Sequence, residues 1–255
     1  MKFDQKHIPQ FALFFGPGDD GLPDPASASD EIRAAFSAPA VASASEALVV
    51  PLRDVVIERS LRLVDGIPIP WATANWSGGN GIWRLALTPE RLDLYFRAMD
   101  FEEIAGSAPS LARLADRVIP GLVQTVSLLG QQVSRVALAV GSAATTPRAA
   151  AFEAVNKSIF EGVVNLTPEM RELQGRVNED WRWEPEKQTS VRVNQIRIAK
   201  AFCDPSEATG QFELTADINT AHEHEGDFTG DDIRSFYAAA VPWVESVYAK
   251  VGATP

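Results

Sequence analysis

The chain has almost nothing with which to do covalent chemistry. It holds one cysteine, Cys203, in 255 residues. A disulfide within the chain and a four-cysteine zinc site are therefore excluded. A nucleophilic thiol needs a neighbouring base or cation, and no histidine stands near Cys203 in sequence, so it reads as a structural thiol. Positive charge is also scarce. Lys and Arg number 23 against 34 Asp and Glu, a formal charge of −11 and a pI near 4.8. That balance repels phosphate and argues against nucleic acid and anionic membrane surfaces as partners. No apolar run approaches the ~20 residues of a membrane span. The run at residues 11–15 is too short for a signal segment. The expected location is the cytoplasm.

Phosphate-binding loops are missing as well. Gly16-Pro-Gly18-Asp-Asp-Gly21 has dinucleotide-type glycine spacing, but Leu-Pro-Asp-Pro follows and forbids the helix that would meet a pyrophosphate. Ser77-Gly-Gly-Asn-Gly81 lacks the Lys-Ser/Thr pair of a P-loop. No G-x-S-x-G elbow occurs. No cofactor is implied.

What is present is an ordinary core: 45% hydrophobic and 22% charged residues. Residues 8–15 read as a strand, and residues 17–48, rich in Ala, Ser, Pro and Gly, as an irregular arm. Val55, Ile57, Leu61 and Leu63 alternate as a half-buried strand. A loop is expected over 65–81. Trp83, Leu85 and Leu87, a turn at 88–91, then Leu92, Leu94 and Phe96 spell a hairpin. A helix follows over 109–129, with Gly130 beyond its end. A strand over 133–140 and a helix over 147–163 come next, then an irregular polar stretch over 164–188. The strand over 190–202 changes apolar phase, which predicts a bulge near Asn194. Residues 211–219 form a clean strand. Thr229-Gly-Asp-Asp232 resembles a capping box at the start of a last helix running to about Lys250.

A stretch of the chain occurs twice by pattern. Leu111, Leu114, Ala115, Val118, Ile119, Pro120 and Leu122 lie over Ile233, Phe236, Tyr237, Ala240, Val241, Pro242 and Val244, an offset of 122 residues. The same offset lays Leu92, Leu94 and Phe96 over Leu214, Ala216 and Ile218. Apolar spacing of this kind recurs in any amphipathic helix. The shared mid-helix proline is less common, because it costs about 3 kcal/mol in a helix interior. Duplication predicts equivalent positions for Pro120 and Pro242, and makes any cleft between the halves the place for a ligand.

Two constellations are candidate sites. Asp217, His222 and His224, with Glu223 or Glu225 as general base, have the ligand types for zinc, manganese or iron, within an acidic stretch ending at Asp232. The spacing matches no established motif, and the alternative is a solvated acidic loop at a helix start. Trp71, Trp76, Trp181 and Trp183 fall outside the expected regular elements. They are either a partner-binding surface or packing over the core edge.

Pro51-Leu52, the pattern Trp83-x-Leu-x-Leu-x-Pro89-x-x-Leu92-x-Leu94-x-Phe96, the Arg135-containing strand and Asp217-Ile218-Asn219 before a closing helix share an order of features. In that order the chain resembles an uncharacterised, sporadically distributed bacterial protein family of about this length. The resemblance spans residues 49–250 and implies no activity and no catalytic residues. Ser142-Ala-Ala-Thr stands where the family's usual Asn would be.

These patterns define an α+β fold: antiparallel sheet with long helices on one face, in two related strand-strand-helix halves. The expected divisions are 1–48 (strand and arm), 49–164 (first half) and 165–255 (second half). The function read from them is non-enzymatic binding or assembly, with a protein partner or self-association. The alternatives are a metal-dependent hydrolase or nuclease using the 222–232 region, and a small-molecule sensor with a cavity between sheet and helix.

Overall fold

The computed structural model describes residues 5–16, 57–98, 110–186, 190–222 and 226–252, apart from 65–66, 79–80, 89 and 205. The expected arm of residues 17–48 lies outside them. Nine strands are described: β1 (Gln5–Phe15), β2 (Ile57–Val64), β3 (Ile67–Gly78), β4 (Gly81–Leu87), β5 (Arg91–Ala98), β6 (Val133–Pro147), β7 (Glu172–Trp183), β8 (Val191–Phe202) and β9 (Thr209–Thr220). Three helices accompany them: α1 (Leu111–Leu128), α2 (Arg148–Ile159) and α3 (Gly230–Ala249). The strands make one sheet in the order β2-β3-β4-β5-β1-β6-β9-β8-β7. Every pairing in it is antiparallel.

Alternation decides which face the helices cover. Phe212, Leu214, Ala216 and Ile218 of β9 are each 0% exposed, and they stand opposite Ala144, Ser142, Val140 and Leu138 of β6. Phe11 and Leu13 of β1 and Leu92, Leu94 and Phe96 of β5 continue this face. Helix α3 lies on β6 and β9, α2 on β6 to β9, and α1 packs against α3. All three therefore share one side of the sheet, as the sequence predicts. None of the described helices is long and apolar enough to cross a membrane.

The helix ends follow local chemistry. Ser110 Oγ accepts from the Arg113 amide at the start of α1, and Gly130 past its end has φ +64°. Thr229 and Asp232 complete the expected box on α3: Thr229 Oγ1 accepts from the Asp232 amide at 3.2 Å, and Asp232 Oδ2 from the Thr229 amide at 2.9 Å. Asp232 is buried because its other oxygen accepts from the Glu186 amide at 2.7 Å. Helix α2 stops at Ile159, short of the expected 163. Asn156 clamps both backbone groups of Val164, and positive φ at Glu161 and Gly162 turns the chain back.

Three expectations fail for identifiable reasons. The loop expected over 65–81 is β3. Its prolines, Pro68 and Pro70, lie where β3 pairs with β2 alone, since pairing with β4 begins at Ala72. A missing amide is tolerated on such an unpaired side. The irregular stretch over 164–188 contains β7, an edge strand, and charged residues are what an edge strand carries. No bulge interrupts β8, which pairs without a shift from Val193 to Phe202. Its apolar phase changes because Arg197 takes a core-face position opposite Ala216, 5% exposed, and donates to Glu179 at 2.8 Å. Ile198 faces the other way and is 41% exposed.

Candidate functional site

The four tryptophans stand in strands, not loops. Trp71 and Trp76 belong to β3, and their side chains lie outside the described residues. Trp181 and Trp183 belong to β7. Trp181 is half-buried against the core. Trp183 is 3% exposed, its ring 5.0 Å from that of Phe228 and 5.5 Å from that of Phe236. Its indole nitrogen reaches Ser235 Oγ at 3.4 Å.

Asp217 sits on the face of β9 turned away from the described helices, where its carboxylate accepts from Asn219 Nδ2 at 3.0 Å. Burial pushes its carboxyl up from the usual range. His222 is exposed in the turn after β9, and His224 lies outside the described residues. Among the described residues, no three His, Cys, Asp or Glu gather as a metal site would require. Cys203 is half-buried and free, with Sγ 3.8 Å from the Met170 carbonyl oxygen.

A fully buried carboxylate lies on the same face, the one turned away from the described helices. Asp93 of β5 stands between Ala86 of β4 and Ala12 of β1 in the sheet register. Gln10 Nε2 donates to its Oδ1 at 2.9 Å, and Arg91 Nε lies 2.7 Å from Oδ2. The Arg91 contact has ion-pair distance without hydrogen-bond alignment. Burial outweighs both neighbours and pushes the Asp93 carboxyl up. A carboxyl with a raised folded value holds its proton better in the folded chain. Its contribution to stability is full below about pH 4 and is lost as pH rises through the folded value. Asp93→Asn removes that loss. The melting temperature of the variant relative to wild type is therefore expected to increase as pH rises above about 4, and to level off once the folded carboxyl has lost its proton. A difference that stays constant with pH would refute the assignment.

A concavity lies elsewhere, between α1 and α3. It is a groove of about 450 Å³. Gly230, at the start of α3, packs on Val123 near the end of α1 so closely that a Cβ there would sit 2.7 Å from Val123 Cγ1. From that contact the groove runs back along α1 to Ala112 and forward along α3 to Glu245, so the helices are antiparallel. Ala115, Ile119, Tyr237 and Val241 form a buried apolar floor. The Tyr237 hydroxyl is directed beneath it, to the carbonyl oxygens of Ala12 at 3.3 Å and Ala137 at 3.1 Å. Burial pushes the phenol far up, so it stays neutral. The rim carries Ala112, Asp116, Pro120, Arg234, Ala238, Pro242 and Glu245. Small residues on the rim keep the groove open.

Each helix has a proline on this rim. Neither proline has an amide hydrogen for the carbonyl four residues earlier, and those carbonyls belong to Asp116 and Ala238. Both of these residues line the groove. Arg234 is held by Asp231, its Nη1 at 2.5 Å from Oδ1. Asp116 and Glu245 have no cation within ion-pair distance among the described residues. None of these lining residues stood out in the sequence as a site. The signal that marked them was the pair of mid-helix prolines 122 residues apart. No family model, curated protein or solved structure matches this chain.

Proposed function

We propose that the chain is a non-enzymatic binding protein made of two related halves, and that the groove between α1 and α3 is where it binds. One observation carries the reading. All the lining residues but Glu245 fall into pairs at the 122-residue offset: Ala112 with Arg234, Ala115 with Tyr237, Asp116 with Ala238, Ile119 with Val241 and Pro120 with Pro242. A groove on a two-fold axis relating the halves would be lined in this way.

The sheet order supports the same relation. Outward from its middle it reads β1, β5, β4, β3, β2 on one side and β6, β9, β8, β7 on the other, so the inner four strands of each side correspond and β2 has no counterpart. Exchanging β1 with β6 and β5 with β9 carries α1 onto α3. The junction proposed on this basis falls between α1 and β6, near residues 130–132, rather than at 164/165. Duplicated halves that meet at a concave, apolar, water-accessible surface fit the general form of a ligand pocket in size and in lining. Nothing among the groove's side chains pairs a nucleophile with a base, so the role proposed is binding rather than turnover.

The test uses the full chain and Nile red, a neutral apolar dye whose emission rises when water leaves it. Wild type is expected to bind it at one saturable site. Ala238→Trp fills the groove from an exposed rim position, so it is expected to keep the wild-type melting temperature and lose the dye. Trp181→Ala, which alters the tryptophan surface instead, is expected to bind normally. Dye binding that survives Ala238→Trp, or that disappears with Trp181→Ala alone, would overturn the assignment.

A further inference from the structure

We infer that the groove selects an apolar ligand with a cationic nitrogen head, an ammonium or amidinium, over a neutral or anionic one of the same shape. The inference rests on the groove being the binding site. It adds the ligand's chemistry, read from the polar groups that border the apolar floor.

Those groups are acceptors. The Asp116 and Ala238 carbonyls are the two that Pro120 and Pro242 deprive of the helical amide donor four residues on. A ligand N–H would satisfy them, whereas a carboxylate or ether would leave them unmatched. The side chains point the same way. Arg234 is engaged by Asp231, which leaves Asp116 and Glu245 as the rim charges with no cation at ion-pair distance among the described residues. Helix dipoles do not reverse this. The end of α3 lies beside the start of α1, so their opposite partial charges offset one another. Next to an apolar floor, a charge-assisted hydrogen bond from an ammonium to a carboxylate is about twice as strong as a neutral one. The volume of about 450 Å³ accommodates a bicyclic body with a short arm.

Three probes of one shape separate the possibilities: 1-naphthylmethylamine, 1-naphthalenemethanol and 1-naphthoate. Each is titrated into the full chain by calorimetry and by Nile red displacement. The amine is expected to bind about 10-fold tighter than the alcohol, the value of one charge-assisted contact. The naphthoate is expected to bind weakest. In the double variant Asp116→Asn, Glu245→Gln the amine's advantage is expected to fall below about 3-fold, with alcohol affinity unchanged. Added salt is expected to weaken the amine alone. Equal affinity for all three probes, or tighter binding of the naphthoate, would overturn the inference and leave the groove as an apolar site. An amine advantage that survives the double variant would also overturn it. Failure of all three probes and of Nile red would instead remove the groove reading itself.

Discussion

Trp183→Ala is expected to cost about 3–5 kcal/mol of folding stability, in the range of buried aromatic truncations. For a chain of this size that is a fall of roughly 6–20 °C in melting temperature. The indole fills the space where the last residue of β7 meets the entry to α3. Phe228 lies on one side and Phe236 on the other, in tilted and edge-on contacts that favour aromatic pairs beyond their buried area. Phe228 is itself tied to the sheet, its amide donating to the Val133 carbonyl at 2.9 Å. Removing the indole opens a cavity between two fixed rings. Urea denaturation is the direct measurement. Trp181→Ala, at a half-buried position two residues earlier, is expected to cost far less. A Trp183→Ala protein with wild-type stability would mean that the indole is dispensable to the core and free to serve a partner.

Trp183 shows where sequence reasoning stopped. Period-two alternation identified β4, β5 and β9, since each has a fully apolar face against the helices. The capping residues Thr229 and Asp232 and the glycine at 130 fixed the starts and ends of the long helices through short-range chemistry. The edge of the sheet was harder. β7 alternates only weakly and is charged, because among the described residues one of its sides pairs with nothing, and local composition there is that of a loop. β8 was misphased for a related reason. Its core face carries Arg197, whose partner Glu179 is on a neighbouring strand and is invisible to a reading of one strand at a time. The groove was legible only in outline. Equivalent prolines on two helices suggested a relation between them, but that the helices touch, and that Asp116 and Glu245 share one cleft, is a property of the tertiary arrangement. The metal reading depended on His224 as well as Asp217 and His222, and Asp217 is occupied with Asn219 on the strand.

Gly175→Val is expected to cost about 3 kcal/mol, the upper end of overpacking penalties. Gly175 is on the helix-bearing side of β7, opposite Ala199 of β8, and α2 ends directly over it. A Cβ at this position would lie 2.4 Å from Ile159 Cγ2 and 2.8 Å from Phe160 Cζ. The phenyl tip has room to swing. The Ile159 methyl does not, because a β-branched side chain in a helix has one strongly preferred rotamer. The end of α2 must therefore lift. That strains the Asn156 clamp on Val164, which is built on the same turn. Backbone freedom is not the reason for glycine here; close approach of a helix to a strand is. The argument has a specific rescue. Ile159→Ala alone is expected to destabilise by about 2 kcal/mol or more, as a large-to-small core change does. Combined with Gly175→Val, it is expected to give a protein more stable than the sum of the two losses predicts, because the methyl that collides is gone. The interaction energy from the four-protein cycle is the readout, and roughly 1–2 kcal/mol of non-additivity is expected for residues in direct contact. Strict additivity, or a Gly175→Val protein as stable as wild type, would show that α2 does not rest on β7 at this glycine.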